Sequence, residues 1–267
     1  MAAVAQGHKV HPDGRTWKSH FPKGDLWVFG YGSLIWKPPP HYDQRVPGYI
    51  SGYVRRFWQV REPTDHRGTP EQPGRVVTVI ERTFWETLDD PLARLESEAA
   101  STGKVWGAAY HIPASHAEEV HDYLDEREID GYSAHYTPFH PTVDVEGDAG
   151  VSASPIICMV YIGQPTNPQF LRDAADREPQ NVAQVISAGH GLSGKGSEYL
   201  FLLEKALEGL GLGTADLHVT DLVKRVKAIE AEGLAEAEEE EAELKVARSL
   251  EGSAEESDRE NGRVTIE

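Results

Sequence analysis

The segment Trp27 to Lys37, WVFGYGSLIWK, runs straight into Pro38, Pro39 and Pro40, and that order of strand formers, glycines and prolines leaves few folds open. Trp27, Val28 and Phe29 make an aromatic and β-branched run suited to a buried strand. Gly30 and Gly32 flank Tyr31, and glycines there let the backbone turn tightly and bring its N–H groups close to a ligand. A dinucleotide or phosphate loop needs a helix directly after its glycines. Here three consecutive prolines stop any such helix six residues after Gly32. Ser33 does not sit in the G-x-S-x-G elbow of a hydrolase, because positions 31 and 35 are Tyr and Ile, and no His and Asp partners for it can be placed. By these residues alone the segment reads either as a tight bulge in a strand or as the wall of a ligand site.

Further short runs rich in β-branched and aromatic residues recur at Tyr49–Gln59, Arg75–Glu81, Val105–His111, Thr137–Val145 and Pro155–Ile162, separated by turn-rich stretches, as in a sheet or barrel. Pro63–Pro73, with three prolines, is expected to be an exposed loop, and Thr83–Gly103 a largely helical insert, since Leu88, Leu92 and Leu95 recur at helical spacing. Ser115 with Glu118 reads as a capping box opening a helix to about Arg127. Asn181–Ser187, Ser197–Leu210 and Asp216–Ala231 read as amphipathic helices.

Composition matters at the two ends of the chain. Met1–Asp25 is polar and carries no continuous apolar segment, which predicts a flexible leader and no secretory signal or membrane anchor. The folded part is expected at residues 26–232. In the last forty residues fourteen acidic side chains face four basic ones, so ten of the net eighteen negative charges lie there. Ala235–Ser249 could form an exposed helix, but nothing apolar enough follows to pack it, so residues 233–267 are expected to be a solvated, disordered acidic tail, a candidate contact for a basic partner. No Lys/Arg cluster offers the basic face that a nucleic acid requires. The single cysteine, Cys158, lies in an apolar run and reads as core, and the absence of a disulfide points to a reducing compartment, cytoplasm or nucleus.

One carboxylate stands out. Val120 and Leu124 share a helical face, and one further step of four reaches Glu128, so the apolar stripe ends on an acid just before Ile129, Asp130 and Gly131. Such a residue is either an ordinary exposed helix-end charge or a glutamate turned into a cavity, where desolvation would favour proton transfer near neutral pH. The histidines give no metal site by spacing. His116 and His121 are five apart, as are His135 and His140, and neither pair has the helical i, i+4 geometry or a Cys partner.

Several segments taken together are similar to one family: WVFGYGSLIWKP at 27–38, GYVRRFWQ at 52–59, TDHRGTPEQPGRVVTV at 64–79, VWGAAYHIP at 105–113, YLDEREIDGY at 123–132, VYIG at 160–163 and LSGKGSEYLF at 192–201. In this order, from about Leu26 to Ile229, they resemble the ChaC family of glutathione-specific γ-glutamylcyclotransferases. The resemblance implies an α+β fold, a small γ-glutamylcyclotransferase-like β-barrel with surrounding helices. It implies glutathione as substrate, cleaved to 5-oxoproline and cysteinylglycine with no metal and no organic cofactor. By position it also implies Glu128 as the catalytic residue and Val28, Phe29, Gly30, Tyr31, Gly32 and Ser33 as the substrate-binding loop. The chain departs from the usual family wording at Ile129 and Asp130 and across Gly191–Ser197. The alternative on the same fold is cleavage of other γ-glutamyl amino acids or amines.

Overall fold

Leu26–Gly30 forms the first strand, β1, with four of its five residues buried, the pattern of a strand covered on both faces. The structure, a computed structural model, describes residues 16–61, 74–93, 103–128, 131–142, 154–191, 194–211 and 216–261. Around β1 lie β2 (Gln44–Ser51), β5 (Lys104–Ile112), β6 (Tyr132–Pro141) and β7 (Ile156–Gly163), closed into a barrel in the order β1-β5-β2-β6-β7. The pairings are antiparallel except where β1 meets β7 in parallel at Val28 and Met159. Closure leaves no sheet edge exposed. The two remaining long strands, β3 (Tyr53–Arg61) and β4 (Gly74–Glu81), form a separate antiparallel ribbon. The expected α+β barrel is present.

Several expectations need correction. The single run at Tyr49–Gln59 is two strands, broken where Gly52 adopts φ 85°, a left-handed turn that glycine enters without strain. The expected strand at Thr137–Val145 begins earlier, at Tyr132, and ends at Pro141, while 143–153 lie outside the described residues. Among its described residues the helical insert shows one short helix, α1 (Arg82–Trp85), and a helical residue at Ala93; residues 94–102 and the loop at 62–73 lie outside the described residues.

The second helix, α2 (Ala117–Arg127), buries Ala117, Val120, His121 and Leu124 at helical spacing. No capping box opens it. His116 occupies the N-cap without a side-chain cap bond, and Glu118 instead meets Lys18 Nζ at 3.2 Å. That lysine belongs to the expected leader, which packs from Thr16 onward: Trp17 is buried and stacks on His121 at 5.3 Å, and His20 stacks on Tyr136 at 3.6 Å. Two aromatic anchors in a polar stretch carry no periodicity, so sequence pattern alone passes over them.

After α3 (Ala174–Arg177), α4 (Pro179–Ala188) and α5 (Gly196–Glu208) comes α6, Leu217–Asn261. The chain divides into a unit of residues 1–225 and a second of 226–267. In the second, the predicted disordered tail is helical through Asn261, with residues 233–242 exposed and a Glu241–Lys245 pair at 2.7 Å. A run of Ala, Glu, Leu and Lys has high helix propensity and favourable i, i+4 charge pairs, which hold a helix without a packed face. No helix among the described residues is long and apolar enough to cross a membrane.

Candidate active site

β1 delivers the chain into a single 3-10 turn, Ser33–Ile35, with Gly32 at its N-cap. Ile35 N–H donates to Gly32 O at 3.0 Å, and Lys37 N–H to Ser33 O at 2.8 Å. The amides of Ser33 and Leu34 precede the first of these bonds, so the turn provides no acceptor for them. Gly30 is required by close approach: a Cβ there would lie 2.6 Å from Leu34 Cβ, blocking the return of the turn onto the strand. Tyr110 secures the far side, its hydroxyl donating to Leu34 O at 2.8 Å.

The turn forms one wall of an open cleft, about 400 Å³ with its open mouth included, lined by Phe29, Tyr31, Gly32, Ser33 and Leu34 on one side and by Val76, Val77, Glu128, Tyr132, Tyr161 and Tyr199 on the others. Glu128 reaches it because α2 ends there. Its N–H still bonds Leu124 O at 2.9 Å, but its backbone has left helical geometry at φ −105°, ψ 22°. The chain then turns through Gly131 at φ 82°, where a Cβ would collide with the amide of Asn167, and enters β6 at Tyr132. The Glu128 side chain is 15% exposed, at the water-facing edge of the cleft.

Thus Phe29, Tyr31, Gly32, Ser33 and Glu128 come together as lining residues, whereas Val28 and Gly30 do not. Val28 is sealed inside the barrel, paired with Tyr110 and Met159. The resemblance treats the loop as one block, but alternate residues of a strand point to opposite sides.

Arg127 was not singled out from sequence. Its guanidinium donates to Ser33 Oγ at 2.9 Å and to Lys37 O at 3.2 Å, and its Nε lies 3.4 Å from Glu128 Oε1. It ties the turn to the end of α2. Tyr132, Tyr161 and Tyr199 were likewise unassigned, although each lies in one of the quoted motifs; a tyrosine in a strand or helix carries no mark of the cavity it faces.

The hydroxyl protons of three tyrosines are committed to the protein. Tyr31 donates to Tyr161 O at 2.7 Å, Tyr132 to Val77 O at 2.9 Å and Tyr161 to Asp125 Oδ1 at 2.7 Å. Their oxygens retain lone pairs, which suits them to accept from an ammonium or amide N–H of a ligand. Burial first, and then the charge of Glu128, pushes the Tyr31 phenol well above its ordinary range. Burial first, and then Asp125, does the same for Tyr161. Both are neutral hydroxyls throughout the physiological range. The cleft therefore combines a carboxylate, neutral acceptors and backbone donors, a set suited to binding an amino-acid ammonium and an amide carbonyl side by side.

A closed barrel opening on such a cleft is the fold of the γ-glutamylcyclotransferases. The crystal structure of the yeast γ-glutamylcyclotransferase specific to glutathione superposes with a TM-score of 0.67 at 34% identity, over 76% of this chain and 96% of that one. The profile of the ChaC-like protein family matches residues 26–229, and the chain belongs to that family. The glutathione-specific γ-glutamylcyclotransferase of Schizosaccharomyces pombe is 42% identical over 212 residues, 79% of this chain and 96% of that protein. That of Saccharomyces cerevisiae is 38% identical over 216 residues, 73% of this chain and 91% of that protein.

Proposed function

We propose that the protein degrades glutathione by intramolecular cyclotransfer, releasing 5-oxoproline and cysteinylglycine, with Glu128 as general acid and base. The observation that carries this reading is the meeting of Glu128 and the glycine turn in one cleft, from segments far apart in the chain.

The chemistry follows from what these groups offer. The γ-glutamyl ammonium is inert as a nucleophile until it loses a proton, which Glu128 accepts. Tyrosine oxygens around the cleft hold the ammonium before that transfer. The resulting amine attacks the carbon of its own γ-amide carbonyl; an N–C bond forms and the carbonyl oxygen takes up negative charge. The amides of Ser33 and Leu34 are the donors suited to that oxygen. The carbonyl re-forms as the C–N bond to the cysteine residue breaks and the proton held on Glu128 passes to the departing nitrogen. The ring nitrogen then gives a second proton to the freed carboxylate, which hands it to the released amine, so 5-oxoproline keeps one N–H and cysteinylglycine leaves as an ammonium. Protons balance, and no water is consumed. Because nucleophile and carbonyl belong to one molecule, holding the substrate in a folded geometry can supply about 7–11 kcal/mol of the barrier.

Arg127 has a supporting part, holding Ser33 and the Glu128 carboxylate in fixed relation. The single thiol, Cys158, is fully buried and its pKa raised by burial, which fits a cytoplasmic or nuclear protein with no disulfide chemistry. The deciding experiment follows 5-oxoproline and cysteinylglycine on incubation of the purified protein with glutathione and, separately, with a γ-glutamyl dipeptide. Release from glutathione alone supports the reading; equal release from the dipeptide replaces it with a general γ-glutamylcyclotransferase, and release from neither removes it.

A further inference from the structure

At the end of α2 opposite Glu128, the fold assembles a cluster that no helical spacing could reveal. His41 follows the three prolines of the loop that leaves the glycine turn, and His116 and Glu119 stand at the N-terminus of α2. His41 Nε2 lies 3.4 Å from Glu119 Oε1, and His116 Nδ1 lies 3.4 Å from Glu119 Oε2. The two imidazoles face each other at 4.2 Å with 7° between their planes. One ligand atom from each residue can be chosen so that all three lie within 4.8 Å of one another.

We propose that His41, His116 and Glu119 form a binding site for a divalent transition-metal ion of the zinc type. The dimensions fit. Zinc–nitrogen and zinc–oxygen bonds of about 2.0–2.2 Å imply ligand–ligand edges of about 3.3–3.6 Å in a tetrahedron. The two imidazole–carboxylate separations have that length but run to different oxygens of Glu119; one ligand atom from each residue already lies within 4.8 Å of the other two, and small turns of these surface side chains close the remaining distance. Two imidazoles with one carboxylate favour zinc, cobalt, nickel or copper over magnesium or calcium, which prefer all-oxygen sites. Three protein ligands leave the fourth position to water.

The backbone prepares the site as well. His41 is the non-glycine residue at positive φ, 57°, among those described, held there behind Pro38, Pro39 and Pro40. Departures of this kind persist where surrounding structure fixes them, and they cluster at functional sites. Glu119 pairs with these two histidines, while its neighbour Glu118 is engaged by Lys18. A cation at a helix N-terminus is opposed by the helix dipole, and the acidic first turn, Glu118 and Glu119, offsets that. Bound metal would pin the loop leaving the substrate wall to the helix that ends on Glu128.

The test is titration of metal-free, full-length protein with Co²⁺, read from its visible ligand-field bands, followed by displacement with Zn²⁺. One equivalent is expected, with Mg²⁺ inert. His41→Asn, which tolerates positive φ, and His116→Ala should each weaken binding by more than about a hundredfold, since losing a mere outer partner of a metal ligand costs about 10–100-fold. Zn²⁺ should raise the melting temperature of the wild type and not of His41→Asn, which keeps the test decisive should His116→Ala fold poorly. A variant lacking His8 and His11, the other histidine pair near the chain start, should bind as the wild type does. Absence of Co²⁺ binding overturns the proposal, as does binding that survives His41→Asn, or that is lost with His8 and His11.

Discussion

Arg56 and Asp90 form a buried ion pair, and Arg127 and Glu128 a half-buried one. The Arg56 and Asp90 side chains are 1% and 2% exposed and meet at 2.7 Å; Trp85 Nε1 donates to the same carboxylate oxygen at 2.7 Å. Arg56 also lies over the Trp58 and Trp85 rings. A carboxylate so enclosed is committed to structure. Glu128 is 15% exposed, stands 3.4 Å from Arg127 Nε and borders an open cleft, while the Arg127 guanidinium spends two donors on the neighbouring turn. The difference teaches what separates a structural charge from the one proposed to react: the second has a cation near enough to orient it and an open cleft through which a ligand can reach it.

The comparison breaks most readily at Glu128. Glu128→Gln is expected to lower 5-oxoproline formation by at least about 10²–10⁴-fold, the range that positioned proton transfer contributes, with glutathione binding by calorimetry and the melting temperature unchanged. Wild-type turnover in this variant would remove Glu128 as the base. Arg56→Met should do the reverse, losing about 3–5 kcal/mol in denaturant titration because it strands Asp90 as an uncompensated buried charge. Adding Asp90→Leu should recover most of that loss; if it does not, the pair is more than a matched charge.

Gly32→Ala sharpens the contrast from the side of the cleft. Its new Cβ would sit 2.8 Å from Val77 Cγ1 and 3.2 Å from the Tyr199 hydroxyl. Overpacking of this size costs about 1–3 kcal/mol, and KM for glutathione should rise; an unchanged KM would place the substrate elsewhere.

A fourth measurement uses pH. His218 Nε2 accepts from Phe57 N–H at 3.0 Å, and burial, then Arg56 and Arg55, hold its pKa well below 6.5. The unfolded chain takes up a proton there that the folded chain refuses. The stability tied to neutral His218 is thus fully present above pH 6.5 and is lost as pH falls below it, at up to about 1.4 kcal/mol per pH unit. His218→Gln, which can still accept from Phe57, should flatten this acid limb; an equally steep limb would assign it to other groups. The smallest effect is expected from removing Gly233–Glu267, which should leave kcat/KM for glutathione unchanged. A fall in turnover would give the acidic segment a role in the reaction.

Much of this was legible in the residue order. The strand into the glycine turn, the prolines that exclude a phosphate loop, the barrel strands and the stripe that ends on Glu128 are all set by local chemistry: β-branched and aromatic content, glycine and proline dihedrals, and a period of 3.6. The break at Gly52 was not, since a glycine inside an apolar run reads equally as strand. Trp17 and Phe21 lack any pattern, and their burial follows only from the surface that α2 and β6 offer them. In the acidic segment the residue order allows an exposed helix at Ala235–Ser249 but offers no apolar face to pack it; a helix held by propensity and i, i+4 pairs needs none.

By itself the sequence determined which residues could act: a glutamate closing an apolar helical face and a glycine turn at the end of a buried strand. Tertiary structure decided which of them meet. It withdrew Val28 and Gly30 from the cleft, added three tyrosines to it, tied its glycine turn to Arg127, and brought His41 to His116 and Glu119. Local dihedral preferences and periodicity act over a few residues and are written in neighbouring letters. Contacts across a closed barrel depend on register and on where each strand and helix ends, and no short stretch of chain records them.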